Sequence, residues 1–294
     1  MMAPRSSVPG PDPSPFRLDM PARIAAPVLF NSPHSGGGCP PEFLAQTWLG
    51  LHDLRRSADL HVDRLIEDVG GFGLPVMRMQ LLRSFIDVNR EPLELDPAMF
   101  RGAMPASANI TSARVAAGYG IIPRLVSDQL AIYQRPWPIE EALARIDRWY
   151  RPYHHALETV VSQLQAAFGS AVIIDCHSMP SASLPRNGAD VVLGNRHGKS
   201  CGAALTDLAR SCFEELGFTV ACNLPYAGGY ITEHYGVPAQ GRQVLQVEVN
   251  RALYMDETTY APHRGLDEVK AAMTALAHTL VADWQMRGMR AAAE

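Results

Sequence analysis

No apolar run in this 294-residue chain approaches the roughly 20 residues that a membrane-spanning helix requires. Neither sign of charge dominates: 26 basic and 30 acidic side chains leave a formal charge of −4, no electrostatic footprint for nucleic acid or an acidic membrane. Cysteine is scarce. Cys39, Cys176, Cys201, Cys212 and Cys222 form no CxxC pair, which excludes a zinc ribbon and a thioredoxin-type motif, and five thiols in so long a chain fit a reducing, cytoplasmic setting. The N-terminus lacks the apolar stretch of a signal peptide; Pro4, Pro9, Pro11, Pro13 and Pro15 instead predict a loose tail over residues 1–20. Sequence repeats are absent. What remains is an ordinary globular composition, 47% hydrophobic and 19% charged. Residues 21–294 are expected to form a single domain with a small-molecule partner.

The apolar pattern alternates between strand and helix. Pro27 to Asn31, Pro75 to Leu82, Phe85 to Asn89, Asp190 to Leu193, Phe218 to Ala221 and Gln243 to Val249 read as strands. Helices are predicted over 41–49, 59–69, 201–216 and 266–284. From Pro138 to Phe168 the apolar residues keep a three-or-four spacing, which predicts one long helix or two joined near Pro152. Residues 91–135 and 223–238 have no sustained period and read as binding loops. Such alternation predicts an α/β fold, a mostly parallel or mixed sheet covered by helices on both faces.

Two of these strands end in polar residues. Ala171-Val172-Ile173-Ile174 runs into Asp175-Cys176-His177-Ser178, and Val28-Leu29-Phe30-Asn31 runs into Ser32-Pro33-His34-Ser35 and three glycines. Buried strands that finish in His and Asp place metal-binding or proton-transfer groups on the rim of the sheet, where open α/β folds bind ligands. Asp175 and His177 project to one side of an extended chain and Cys176 to the other, a poor geometry for a Cys-His dyad. Asp59, one helical turn before Asp63, belongs either to a solvated acidic face or to a site where its oxygen joins two imidazoles, a donor set that suits zinc. Glu248, inside Val247-Glu248-Val249, is either a structural ion-pair member or a general base with a raised pKa. Asn89-Arg90 reads as a loop-end salt bridge or as a forked anchor for a carboxylate. Gly194-Asn195-Arg196-His197-Gly198-Lys199-Ser200 sits where a phosphate-binding loop would, but with three residues between its glycines instead of four, which argues against nucleotide binding.

In order, Asn31-Ser32-Pro33-His34-Ser35-Gly36, Asp59-Leu60-His61-Val62, Arg83-Ser84-Phe85-Ile86-Asp87-Val88-Asn89-Arg90, Asp175-Cys176-His177-Ser178, Gly228-Gly229-Tyr230-Ile231-Thr232 and Gln246-Val247-Glu248-Val249-Asn250-Arg251 resemble the N-formylglutamate amidohydrolase family. The resemblance implies a three-layer α/β/α, phosphorylase/hydrolase-like architecture related to the zinc carboxypeptidases. It implies one zinc ion held by His34 and His177, with Asp59 as third ligand and Asp175 as the rival. Carboxypeptidases have a glutamate ligand three residues after the first histidine, a position that Gly37 occupies here.

The same resemblance makes Glu248 the catalytic glutamate. Arg83 and Arg90 share the oxyanion and a substrate carboxylate, and Asn89, Tyr230 and Thr232 join Arg90 at the substrate. The expected reaction is hydrolysis of N-formyl-L-glutamate or a related N-acyl amino acid. The rivals are a peptidase or cell-wall amidase of the same chemistry and a non-catalytic amino-acid-binding relative. Glu233 follows the Gly-Gly-Tyr-Ile-Thr run where the family often has arginine. If it faces the site, it disfavours a doubly negative substrate.

Overall fold

A computed structural model of the protein describes residues 14–126, 130–186 and 188–291. In chain order the strands are β1 (Phe16–Asp19), β2 (Val28–Ser32), β3 (Val76–Met79), β4 (Phe100–Arg101), β5 (Trp137–Pro138), β6 (Ala171–Met179), β7 (Val191–Gly194), β8 (Val220–Cys222) and β9 (Arg242–Asn250). The helices are α1 (Pro41–Gln46), α2 (Leu51–Leu54), α3 (Val62–Leu65), α4 (Ala113–Ala116), α5 (Ile139–Arg145), α6 (Arg151–Phe168), α7 (Ala203–Glu215), α8 (Tyr230–Tyr235) and α9 (Gly265–Ala291). Seven strands form one sheet in the order β1-β3-β2-β6-β9-β7-β8, and β4 pairs with β5 separately. The four central strands β3, β2, β6 and β9 run parallel, while β1 on β3 and β7 on β9 are antiparallel, so the sheet is mixed.

The apolar runs of β2 and β6 explain the layers. Both side-chain parities of these strands are buried, which requires cover on both faces of the sheet. Helix α6 packs on β2 and β6, whereas α3 and α7 pack against α9. The α/β/α expectation therefore holds. Among the described residues no helix is long and apolar enough to cross a membrane.

The 139–168 stretch is continuous, but residues Ile146–Tyr150 form a π-helical turn, closed by the Arg151 amide on the Ile146 carbonyl. The widened turn lies immediately before Pro152, the residue that cannot donate to an α-helical ladder.

Four boundaries differ from the sequence reading. Of the expected tail, residues 1–13 lie outside the described residues; Phe16–Asp19 instead forms the edge strand β1, fastened by the Asp19 carboxylate on Arg78 and by Phe16 against Tyr153. Residues 59–69 hold only the short α3, because His61 takes a left-handed conformation and Asp59 is drawn out of the helix with its amide on the His34 carbonyl. Phe85 to Asn89 is a turn, not a strand. Its apolar residues are buried, but the Asp87 carboxylate accepts the Asn89 amide and folds the backbone back on itself. The 223–238 loop contains α8, whose Ile231, Thr232 and Tyr235 are buried.

Candidate active site

The parallel strands bring their polar C-terminal ends to one rim of the sheet. His34 lies two residues beyond β2, His177 near the end of β6, and Glu248 near the end of β9. A cavity of about 430 Å³ opens over them, walled by segments of both loop regions, including Arg114, Tyr119 and Leu125 from one and Tyr226 and Gly228 from the other. Gly228 has φ +140 and a Cβ there would meet the Thr232 hydroxyl at 2.4 Å, so this wall needs glycine.

On the floor, His34, Asp59 and His177 each offer one atom within 4.8 Å of the others. The His34 Nε2 is 2.7 Å from Asp87 Oδ1 and the His177 Nε2 is 3.0 Å from Asp175 Oδ2. A carboxylate only accepts, so each ring donates from Nε2 and, when neutral, turns the lone pair of Nδ1 inward. Between the two rings sits Asp59: its Oδ1 accepts from Arg251 Nη2 at 2.9 Å, and its Oδ2 lies 3.0 Å from His177 Nδ1 and 3.4 Å from His34 Nδ1. The buried His34 Nδ1 makes no hydrogen bond. Three electron-pair donors thus face one another with their outer atoms anchored, an arrangement that fits a cation. Burial resists charge on His177, but Asp175 and Asp59 outweigh it and push its pKa well above the usual histidine range. Burial also opposes charge on Asp59, yet the two imidazoles hold its carboxyl well below the ordinary value.

Glu248 is the register partner of His177 across the β6–β9 ladder and is nearly buried. Gln246 Nε2 donates to its Oε1 at 2.9 Å. Burial, with Asp59 adding repulsion, raises its pKa to about 7 against the pull of His177, Arg83 and Arg251. A carboxyl poised there can both take and return a proton near neutrality.

A profile of the N-formylglutamate amidohydrolase family matches residues 26–255. The chain belongs to that family. It is a hydrolase acting on an amide bond. An N-formylglutamate deformylase of Pseudomonas aeruginosa is 27% identical over 275 residues, 88% of this chain and 94% of that protein. One from Pseudomonas putida is 27% identical over 245 residues, covering 79% and 83%. The crystal structure of an N-formylglutamate amidohydrolase from Ralstonia eutropha JMP134 superposes with a TM-score of 0.88 at 35% identity, over 94% of this chain and 99% of that one.

Within this family member the remaining expected site residues divide into two groups. Arg83, Asn89 and Arg90 line the cavity; among the described residues, Tyr230 and Thr232 do not. Thr232 is fully buried with its hydroxyl on the Gly229 carbonyl, and Tyr230 stacks on His234. Arg83 Nε pairs with Asp87 Oδ2 at 2.8 Å. Arg90 spends Nε on the Tyr119 carbonyl and Nη1 on the Asn89 carbonyl, and Asn89 Oδ1 accepts the Ile231 amide. Glu233 is 54% exposed, lies outside the cavity lining and pairs with Arg196 at 2.9 Å, so it does not oppose an anionic substrate from within. In the 194–200 loop, Asn195 and His197 donate their amides to Asn223 Oδ1 and Gly198 to Asn195 Oδ1, leaving no cradle of free amides for phosphate there.

Sequence reasoning missed Asp87, Arg251 and Arg114. The first two stand inside motifs that carry the family resemblance, so a signal existed. Arg114 lies in the aperiodic 91–135 segment, where nothing local distinguishes it from its neighbours.

Proposed function

We propose that this protein hydrolyses the formyl amide of N-formyl-L-glutamate, or of a closely related acidic N-acyl amino acid, with one zinc ion held by His34, Asp59 and His177. The observation that carries the reading is the convergence of His34 Nδ1, buried and without a hydrogen bond, with Asp59 Oδ2 and His177 Nδ1 beside the near-neutral carboxyl of Glu248. Asp175 serves the outer nitrogen of His177 in this reading and Asp59 is the third ligand. A zinc ion at that place supplies Lewis-acid polarisation of an amide carbonyl and acidifies water.

The chain's own residues do the rest. Glu248 takes a proton from the attacking water as its oxygen bonds to the formyl carbon, then delivers that proton to the nitrogen as the C–N bond breaks, leaving formate and the free amino acid. Arg83, on the cavity wall with its Nε fixed by Asp87, presents its remaining donors toward charge developing on the carbonyl oxygen. Arg90 fixes the wall where the substrate's α-carboxylate lies. The cavity volume of about 430 Å³ suits a small acid, and the arginines among the lining residues favour an anion.

The test joins metal content by mass spectrometry with formate release from a panel of N-formyl amino acids. The expected result is about one zinc per chain, formate from the glutamate derivative, loss on chelation and recovery on adding zinc. Zinc-replete protein that releases no formate from any member of the panel overturns the reading.

A further inference from the structure

The arginines of the cavity are not held alike. Arg83 is pinned by Asp87, Arg90 by two backbone carbonyls, and Arg251 by Asp59 and the Ser178 hydroxyl. Arg56 pairs with Asp53 at 3.0 Å. Arg114 is different: its Nη1 stands 3.9 Å from Glu94 Oε2, too far for a hydrogen bond, and that buried oxygen has no hydrogen-bond partner. Glu94 therefore orients the guanidinium electrostatically and leaves its donors available to a ligand.

The mount is firm even though the guanidinium is loosely held. Ser112 caps α4 by accepting the Val115 amide and donates its own hydroxyl to Glu94 Oε1, and Glu94 accepts the Ile121 amide through its backbone carbonyl. A Cβ on Gly120 would meet that carbonyl oxygen at 2.4 Å, so the loop closes tightly beneath α4. Side-chain exposure rises from 7% at Arg251 through 12% at Arg90, 24% at Arg83 and 32% at Arg56 to 36% at Arg114, so Arg114 is the most solvent-accessible arginine of the cavity lining. In an N-formyl acidic amino acid the α-carboxylate is attached close to the scissile amide, and the side-chain carboxylate lies farther out.

We propose that Arg114 is the specificity-determining residue that binds the side-chain carboxylate of the substrate, making the enzyme selective for acidic over neutral N-formyl amino acids. This rests on the functional reading above. Burial, with repulsion from Arg83 and Arg114, works against the charge of Arg90 despite the pull of Asp87 and Glu94, and an anion beside these arginines adds to that pull. The bond is charge-assisted and forked, so its loss is expected to cost roughly 10- to 100-fold in selectivity.

The experiment compares kcat/KM for N-formyl-L-glutamate and N-formyl-L-glutamine in the zinc-loaded enzyme and in Arg114→Gln and Arg114→Lys. Two substrates assayed on one preparation cancel any loss of folded protein. The Glu-to-Gln ratio is expected to fall by roughly 10- to 100-fold in Arg114→Gln and by less in Arg114→Lys, which keeps the charge but loses the fork. A ratio unchanged in Arg114→Gln, including one in which both substrates suffer equally, overturns the assignment while leaving the deformylase reading intact. Formate from neither substrate in the unmodified enzyme overturns both.

Discussion

His177 and Glu248 are register partners on the adjacent parallel strands β6 and β9, so their side chains leave the same face of the sheet at the same height. The pairing sets one imidazole of the proposed metal set beside a carboxyl whose burial raises its pKa to about 7. It also seats Asp175 opposite Gln246 one step down, where the two hold His177 and Glu248 respectively.

Replacing the base tests the proton transfer directly. Glu248→Gln keeps the shape and the Gln246 neighbour but cannot accept a proton, so turnover should fall by roughly 10²-fold or more while bound zinc is retained. In the unmodified enzyme only the ionised carboxyl works. Activity should therefore drop as pH falls through an acid limb at or below pH 7, because a bound cation lowers the pKa further. Near-normal turnover in Glu248→Gln assigns the residue to structure instead.

The metal set makes a graded prediction. His34→Ala, His177→Ala and Asp59→Asn should each lose stoichiometric zinc. Asp87→Asn leaves all three donors in place but weakens the anchor on His34 Nε2, so zinc affinity should fall by roughly 10- to 100-fold. Competition with a chelator of known affinity measures both effects. Full zinc occupancy in the His34 and His177 variants would discard the site.

A third prediction concerns acid stability. His154 is half-buried with Nε2 on the Val88 carbonyl and Nδ1 beside the Tyr235 hydroxyl, and desolvation lowers its pKa to about 4. The unfolded chain takes up this proton at pH about 6.5, the folded protein only near 4, so the unfolded state binds more protons between those values. Stability should thus be lost as pH falls from about 6.5 to 4, by on the order of 3 kcal/mol from this group. His154→Gln removes the titration, and its Tm should depend less steeply on pH across that window. An identical slope in both proteins would exclude His154 as the source.

Glu233 provides a negative control. Because it pairs with Arg196 outside the cavity lining, Glu233→Arg should leave the ranking of N-formyl amino acids unchanged. A shift toward N-formylglutamate would mean that α8 moves its outer face into the site.

How much of this was legible can be judged residue by residue. His34, His177 and Glu248 were found because each interrupts or ends an apolar strand, and polar groups are retained there only where something satisfies them. The α/β class followed from the same alternation of periods. Residues 85–89 misled because Phe85, Ile86 and Val88 are buried in a turn, and burial produces an apolar pattern whatever the backbone does. Tyr230 and Thr232 were placed at the substrate because their motif is; Gly228 and Gly229 of that motif line the cavity instead.

By itself, the amino-acid sequence determined the α/β class, the polar residues that the central strands carry to the rim, and the family to which those motifs belong, since these depend on local order and spacing. Only the tertiary structure decided that Asp59 and not Asp175 lies between the inner nitrogens of the two histidines, that Asp87 anchors His34 and Arg251 anchors Asp59 from outside, that Glu233 faces away, and that Arg114 lines the cavity. Those choices rest on contacts between residues far apart in the chain, such as Asp59 with His177 and Arg251. Local periodicity carries no record of which carboxylate oxygen meets which nitrogen.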